Sequence, residues 1–431
     1  MKILIKNIHI IDTFSGKEIK NSDILIQDAT IKKIGHKIKI DLKKDDMIID
    51  GKDCIFTSAF TDIHTHLREP GFEYKEDIST GTMAAIHGGF TRITSFPNTK
   101  PVIDSIETLA ILREKIRKKA KIEVLPIAAI TKNQEGKKIV EIEKLKKYVY
   151  GFTDDGKGIQ DPKIAREAMI RARENNVLLL LHEEDTSYGE GVVNNSIAEK
   201  LKVKGIKPES EESMIARDII LAKDTKARVH ICHVSTKLSA KLLKIAKEEG
   251  INITGEVTPH HLCFDDTTFS DFGPNMKMSP PLRREEDRLY LIEAFKEGII
   301  DCIATDHAPH AEYEKKDLNT SSFGITGLET AFLTIYNFVV KKGLLSLYDV
   351  IKGLTTNPSK TLSLEKTPII EGAKLNFIIF NKKEKIIIDN KFFFSKSKNF
   401  PLRGEMEGKI TYVFYDKKFF KFTDKYEEGF L

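Results

Sequence analysis

No apolar run in this 431-residue chain approaches the ~20 residues that a membrane-spanning helix needs; Val177–Leu181 lies in one of the longest. The opening MKILIKNIHIID carries polar residues throughout its apolar stretch and shows no signal-peptide cleavage pattern. Cysteine is sparse. Cys54, Cys232, Cys263 and Cys302 stand singly with no C-x-x-C pair, which argues against a disulfide framework or a thiolate zinc site and points to a reducing, cytoplasmic setting. Charge of one sign is missing too. The chain has 69 Lys and Arg against 64 Asp and Glu, and this net +5, spread thinly, argues for no nucleic-acid and no membrane partner. No G-x-G-x-x-G follows an early strand, which weighs against a doubly wound dinucleotide fold, and there is no internal repeat or low-complexity linker. Apolar material is ample: 40% of residues are hydrophobic, with 25 Phe and 11 Tyr, so wholesale disorder is excluded.

Residues 1–55 read as short strands with turns: ILIKNIHIID alternates, SGKEIKNSD turns, and ILIQDATIKKIG alternates again. The same texture returns after residue 366 in KLNFIIF, KIIIDNKFFF and KITYVFY. Two strand-rich ends around a different middle predict one small β domain built from 1–55 and 366–431. Residues 56–365 alternate strand and helix, and the length suits a large barrel plus a satellite domain. The predicted strands are Ile55–Asp62, Phe90–Phe96, Ile122–Ile130, Tyr148–Thr153, Val177–Leu181, Arg228–Cys232, Asn252–Val257 and Ile299–Thr305. Helical patterns such as Pro162–Glu174 and Lys237–Glu248 lie between them. The expected fold is therefore α/β, a (β/α)8 TIM-type barrel.

Polar residues gather where these strands end, and a barrel collects the carboxyl ends of its strands on one face. His64 and His66 are two apart, so strand alternation points both imidazoles the same way, as chelation of one ion requires. Alone, an H-x-H is more simply two polar residues at a strand end; the ligand-capable side chains on other strand ends favour a metal site. Imidazole with carboxylate suits zinc, with Mn, Fe or Co as less favoured occupants. In Thr153-Asp154-Asp155, alternation separates Asp154 from Asp155, and a carboxylate there bridges two ions if a second is present. His182 in LLLLHEED and His233 in HICHVST would complete such a set. Alternation sends His230 and His233 to opposite faces, and His233, nearer the strand end, is the candidate. Asp306 in ATDHAPH is placed to ligate metal, to move a proton, or to cap a turn. Arg68 near a cation site points to an anionic substrate group, the alternative being a salt bridge to Glu69, Glu73 or Asp77.

Together these segments resemble a known family, the class I dihydroorotases of the amidohydrolase superfamily. TDIHTHLREPG, GGFTRITSFPNTKP, GFTDDG, LHEED, HICHVST, EVTPHH, SPPLR and ATDHAPH occur in the family's order over about 250 residues, Thr61 to His310. The resemblance implies Zn2+, one or two ions per chain with two favoured. His64, His66 and Asp155 would hold the first ion; Asp155, His182 and His233 would hold the second, with Asp155 as the bridge in place of a carboxylated lysine. Asp306 would be the catalytic acid and base and also touch metal. Arg68, Asn98 and His310 would hold the substrate carboxylate, Phe323 and Gly324 would make a backbone contact near the ring, and Ser279 would contact substrate where the family often carries Asn. The implied reaction is the reversible cyclisation of N-carbamoyl-L-aspartate to L-dihydroorotate plus water in de novo pyrimidine (UMP) biosynthesis, through a zinc-bound hydroxide. The alternatives are another cyclic amidohydrolase, such as allantoinase or hydantoinase, and an inactive scaffold for aspartate transcarbamoylase. Arg68 weighs against the former and the full ligand set against the latter. A homodimer and association with a transcarbamoylase are both compatible with the resemblance.

Overall fold

Both ends of the chain enter one sheet. The computed structural model describes residues 1–41, 43–189, 191–423 and 426–431. In it, Lys2–Asp12 pairs antiparallel with Lys17–Gln27 on one side, and parallel with Cys54–Ser58 on the other through His9–Ile11 opposite Ile55–Thr57. Cys54–Ser58 in turn pairs antiparallel with Asn376–Ile388, which continues into Gly404–Tyr415, Lys418–Phe422 and Tyr426–Phe430. Alternation decides the burial. Ile3, Ile5, Ile8 and Ile10 join Phe56, Phe377 and Phe414 in one buried cluster, while Leu4 turns to the other face with Leu25 and Ile38.

The barrel strands are Phe60–Asp62, Phe90–Ser95, Glu123–Pro126, Leu178–Leu181, Arg228–Ile231, Ile253–Val257 and Cys302–Ile303, all in parallel register with their neighbours. The fourth is reduced to Phe152, which bridges Ala128 on one side and Leu179 on the other. The opposite seam closes where Thr65 pairs with His307. Two sequence expectations change. Ile55–Asp62 is not one barrel strand: Cys54–Ser58 belongs to the terminal sheet, and the chain enters the barrel only at Phe60. Residues 54–62 are buried throughout and contain no Gly or Pro to mark that crossing, so the sheet extends past residue 55. Tyr148–Thr153 likewise contributes one bridging residue rather than a full strand.

The outer helices follow their signals. Pro162–Asn175 starts with proline in its first turn, capped by the Asp161 side chain, and stops at Asn176 in left-handed backbone, φ 53°. Lys237–Glu248 is capped by the Thr236 side chain and buries Ala240 and Leu243 along one stripe. Among the described residues, no helix is long and apolar enough to cross a membrane, and all four cysteines are buried and free.

Candidate metal centre

Hydrogen bonds at the strand ends aim the side chains inward. The Asp62 carboxylate accepts from the backbone N–H of His64 and of Thr305, each at 3.1 Å, which ties the end of the first strand to that of the last. Asp154 accepts from the N–H of Ile130 (2.9 Å) and Thr131 (3.0 Å) and so caps the adjoining loop, leaving Asp155 to face the interior. Arg68, His233 and Asp306 have φ of 62°, 35° and 46°. Non-glycine residues seldom adopt that left-handed backbone, and here it marks turns that redirect the side chains toward the barrel mouth.

His64, His66, Asp155, His182, His233 and Asp306 converge in one buried cluster. Asp155 lies at its centre: Oδ1 is 3.4 Å from His64 Nε2, 3.4 Å from His182 Nδ1 and 3.5 Å from His233 Nε2, and Oδ2 is 3.4 Å from His66 Nε2. Asp306 Oδ1 lies 3.0 Å from His66 Nε2 and 3.5 Å from His64 Nε2. Donor atoms around a tetrahedral ion with bonds of ~2.0–2.1 Å stand about 3.4 Å apart, so the spacing suits zinc-type coordination. Two of the atoms at the focus, His64 Nε2 and Asp155 Oδ1, are buried without any hydrogen-bond partner. Leaving such atoms unpaired is costly, and a cation between them satisfies both. The residues present therefore fit a metal.

The electrostatics agree. Burial opposes charge on His64, but Glu256, Asp155 and Asp306 outweigh it and raise its pKa well above the ordinary value. For His182, burial is overcome by Asp155 and Glu184, which push it up to about 10. Asp306 is likewise buried, yet His64 and His66 hold its carboxyl far below the usual range. The same negative field that retains protons on these rings attracts a divalent cation in their place.

A cavity of about 810 Å³ opens over the cluster, lined among others by Arg68, Asn98, Ser279, His310, Phe323 and Gly324. Arg68 is half-buried in the cavity wall, and its acid neighbours in sequence are paired elsewhere: Glu69 with Lys115 and Lys119, Glu73 with Lys115, and Asp77 with Lys396. Its guanidinium instead donates from Nε to the Pro309 carbonyl at 3.2 Å and lies 3.3 Å from His310. Burial, with Arg68 and Lys75 alongside, pulls His310 down to about 2, so the ring is neutral; it donates from Nε2 to the Phe323 carbonyl at 2.8 Å. Asn98 lines the cavity and also accepts from His66 Nδ1 at 2.9 Å, which turns His66 Nε2 toward the carboxylates. Ser279 donates to Glu184 at 3.1 Å, and the N–H of Gly324 is already engaged by the Lys277 carbonyl at 2.9 Å.

Three contributors escape a reading of motifs. Glu256, fully buried, accepts from His64 Nδ1 at 2.5 Å and from His230 Nε2 at 3.0 Å. His230 therefore reaches the interior as His233 does, contrary to the opposite faces expected. Strand alternation ends at Ile231, and the backbone of His233 lies beyond it in the left-handed region. Glu184, two residues past His182 and partly exposed in the cavity, accepts from His182 Nε2 at 3.0 Å. The segment Ser395–Asn399, from the far end of the chain, braces the mouth: Ser397 Oγ donates to the His310 carbonyl at 2.6 Å. Glu256 carried a signal, an acid in a strand-end run beside two histidines; Ser395–Asn399 carried none.

A family model described as dihydro-orotase-like matches residues 54–239. The dihydroorotase of Caldanaerobacter subterraneus subsp. tengcongensis is 43% identical over 418 residues, covering 96% of this chain and 96% of the relative. That of Clostridium acetobutylicum is 42% identical over 422 residues, covering 96% and 98%. Among solved structures, the L-hydantoinase from Arthrobacter aurescens superposes with a TM-score of 0.82 at 21% identity, over 95% of this chain and 94% of its own. The dihydropyrimidinase from Brevibacillus agri NCHU1002 does so at 0.80 and 24%, over 96% and 93%. These structures share the barrel and its two-ended sheet at identities that speak to fold alone. Sequence likeness over nearly the whole length, joined to the buried histidine–aspartate cluster, places this chain in the dihydroorotase family of the amidohydrolase superfamily.

Proposed function

We propose that this chain is a dihydroorotase, interconverting N-carbamoyl-L-aspartate and L-dihydroorotate plus water in pyrimidine biosynthesis. The observation that carries the reading is Arg68, a half-buried guanidinium at the cavity wall whose acid neighbours in sequence, Glu69, Glu73 and Asp77, are paired elsewhere. A partly desolvated cation of this kind favours an anion, and the planar fork suits a carboxylate. Dihydroorotate carries one beside its ring; hydantoin and allantoin do not.

His64, His66 and Asp155 would hold one zinc ion and Asp155, His182 and His233 a second, with Asp306 alongside the first. When bound, the ions supply Lewis acidity at the scissile ring carbonyl and activate water toward it. Asp306, kept ionised, accepts the proton of the attacking water and returns it to the ring nitrogen as the C–N bond breaks; in the closing direction it runs the same transfer backwards. Arg68 anchors the substrate carboxylate. Asn98 reaches the same pocket, and neutral His310 steadies its wall. Loss of ultraviolet absorbance on L-dihydroorotate, run beside hydantoin and allantoin, tests the reading. Turnover of hydantoin or allantoin without dihydroorotate would reject it.

A further inference from the structure

Lys315 closes the short turn Glu312–Lys315 and is 7% exposed. Its three protons all go to carbonyl oxygens, those of Lys277 (3.0 Å), Ser322 (2.8 Å) and Gly324 (2.9 Å). Only an ammonium offers three donors from one atom, so this geometry needs the protonated lysine. The acceptors belong to two separate segments, and both line the cavity through Lys277, Phe323 and Gly324. A second ammonium fastens the same strap: Lys277 Nζ donates to the carbonyls of Leu318 (3.1 Å) and Asn319 (2.9 Å) and sits 4.7 Å over the Phe323 ring. The strap has little slack. Gly324 has φ 140°, and a Cβ there would meet the Ala308 side chain at 2.7 Å and His310 Nε2 at 3.0 Å. Its neighbour Phe323 accepts the His310 hydrogen bond beside Arg68.

We infer that Lys315 is a positioning residue for substrate, holding the Leu318–Gly324 strap against the cavity so that Phe323 and His310 complete the wall beside Arg68. The inference rests on the dihydroorotase reading but concerns ring and carboxylate binding rather than the metals. Lys315 touches none of the clustered histidines or aspartates, so its removal acts on KM and leaves the proton transfer intact.

The test is steady-state kinetics on L-dihydroorotate with K315M and K315R, alongside metal content. We expect K315M to raise KM at least 10-fold, with kcat within about threefold of the parent and metal unchanged, and K315R to recover much of the loss. If K315M does not fold, K315Q is measured against the same criteria. A KM within twofold of the parent overturns the inference. So does a fall in kcat and metal content together with KM, which would make Lys315 merely structural. Failure of the parent chain to turn over dihydroorotate sinks the functional reading itself and is seen before any variant is made.

Discussion

At the scale of single residues, the proposed mechanism gives Arg68 and Asp306 separable duties. If Arg68 clasps the substrate carboxylate by two parallel N–H bonds, lysine is a poor substitute, since it offers a point charge in place of a fork. Losing a hydrogen-bonded, charged contact costs roughly 2–5 kcal/mol, so Arg68→Ala should lower kcat/KM on dihydroorotate by about 30-fold or more, and Arg68→Lys should not restore it. Near-parental kcat/KM for Arg68→Ala would show that the carboxylate is held elsewhere. Asp306 lies 3.0 Å from His66 Nε2 and is kept ionised by the rings beside it, although burial resists this. Asp306→Asn keeps the shape but removes the proton acceptor. A positioned acid–base typically contributes 10²–10⁴-fold, so kcat should fall by about that factor in both directions, with metal content largely intact. Loss of metal in step with activity would make Asp306 chiefly a ligand.

At the scale of elements, the strand ends explain what could be read in advance. His64-x-His66, Asp155, His182, His233 and Asp306 were legible because alternation and parallel strand order place them on one face without any knowledge of packing. The braces were not. Glu256 at the end of the Ile253–Val257 strand reaches across to His64 and accepts the N–H of His233 at 3.3 Å, contacts that no sequence spacing encodes. The crossing at Ala59 was equally hidden, because strands buried on both faces read as one run. Glu256 yields a prediction on this scale. Its two oxygens take one proton each from His64 and His230, whereas glutamine has one acceptor and would turn an N–H donor toward the other ring. Glu256→Gln should weaken metal affinity by about 10–100-fold, measured by competition with a chromogenic chelator. Burial disfavours charge on Glu256, yet His64 and His230 outweigh it and bring its pKa down from 4.5 to about 2. The metal-stripped parent should therefore keep this stabilisation above pH 4.5 and lose it as pH falls toward 2. Glu256→Gln should flatten that limb in a denaturant titration, and an unaltered acid limb would discount the pair.

At the scale of the whole molecule, the two ends of the chain meet in one sheet and the candidate ligands meet at one barrel mouth. The sheet joins Lys2–Asp12 to Asn376–Ile388 through Cys54–Ser58, while Ser395–Asn399 returns to brace the mouth. The candidate ligands come from five strand ends between His64 and Asp306, so no unfolded or half-folded chain presents them together. Ions bound there attach to the native state almost exclusively and stabilise it by mass action, about 2.7 kcal/mol per site at a free concentration 100 times Kd. Chelation should consequently lower Tm by calorimetry, and readded zinc should restore it in proportion to the logarithm of its concentration. His64→Ala should lose much of this shift, having lost a ligand. Asp306→Asn should keep most of it if the residue works as a base. The decisive comparison is between those two variants. Equal loss of the zinc-dependent shift in both would assign Asp306 to the metal, and an unchanged Tm on chelation of the parent would mean that no ion bridges the strand ends at all.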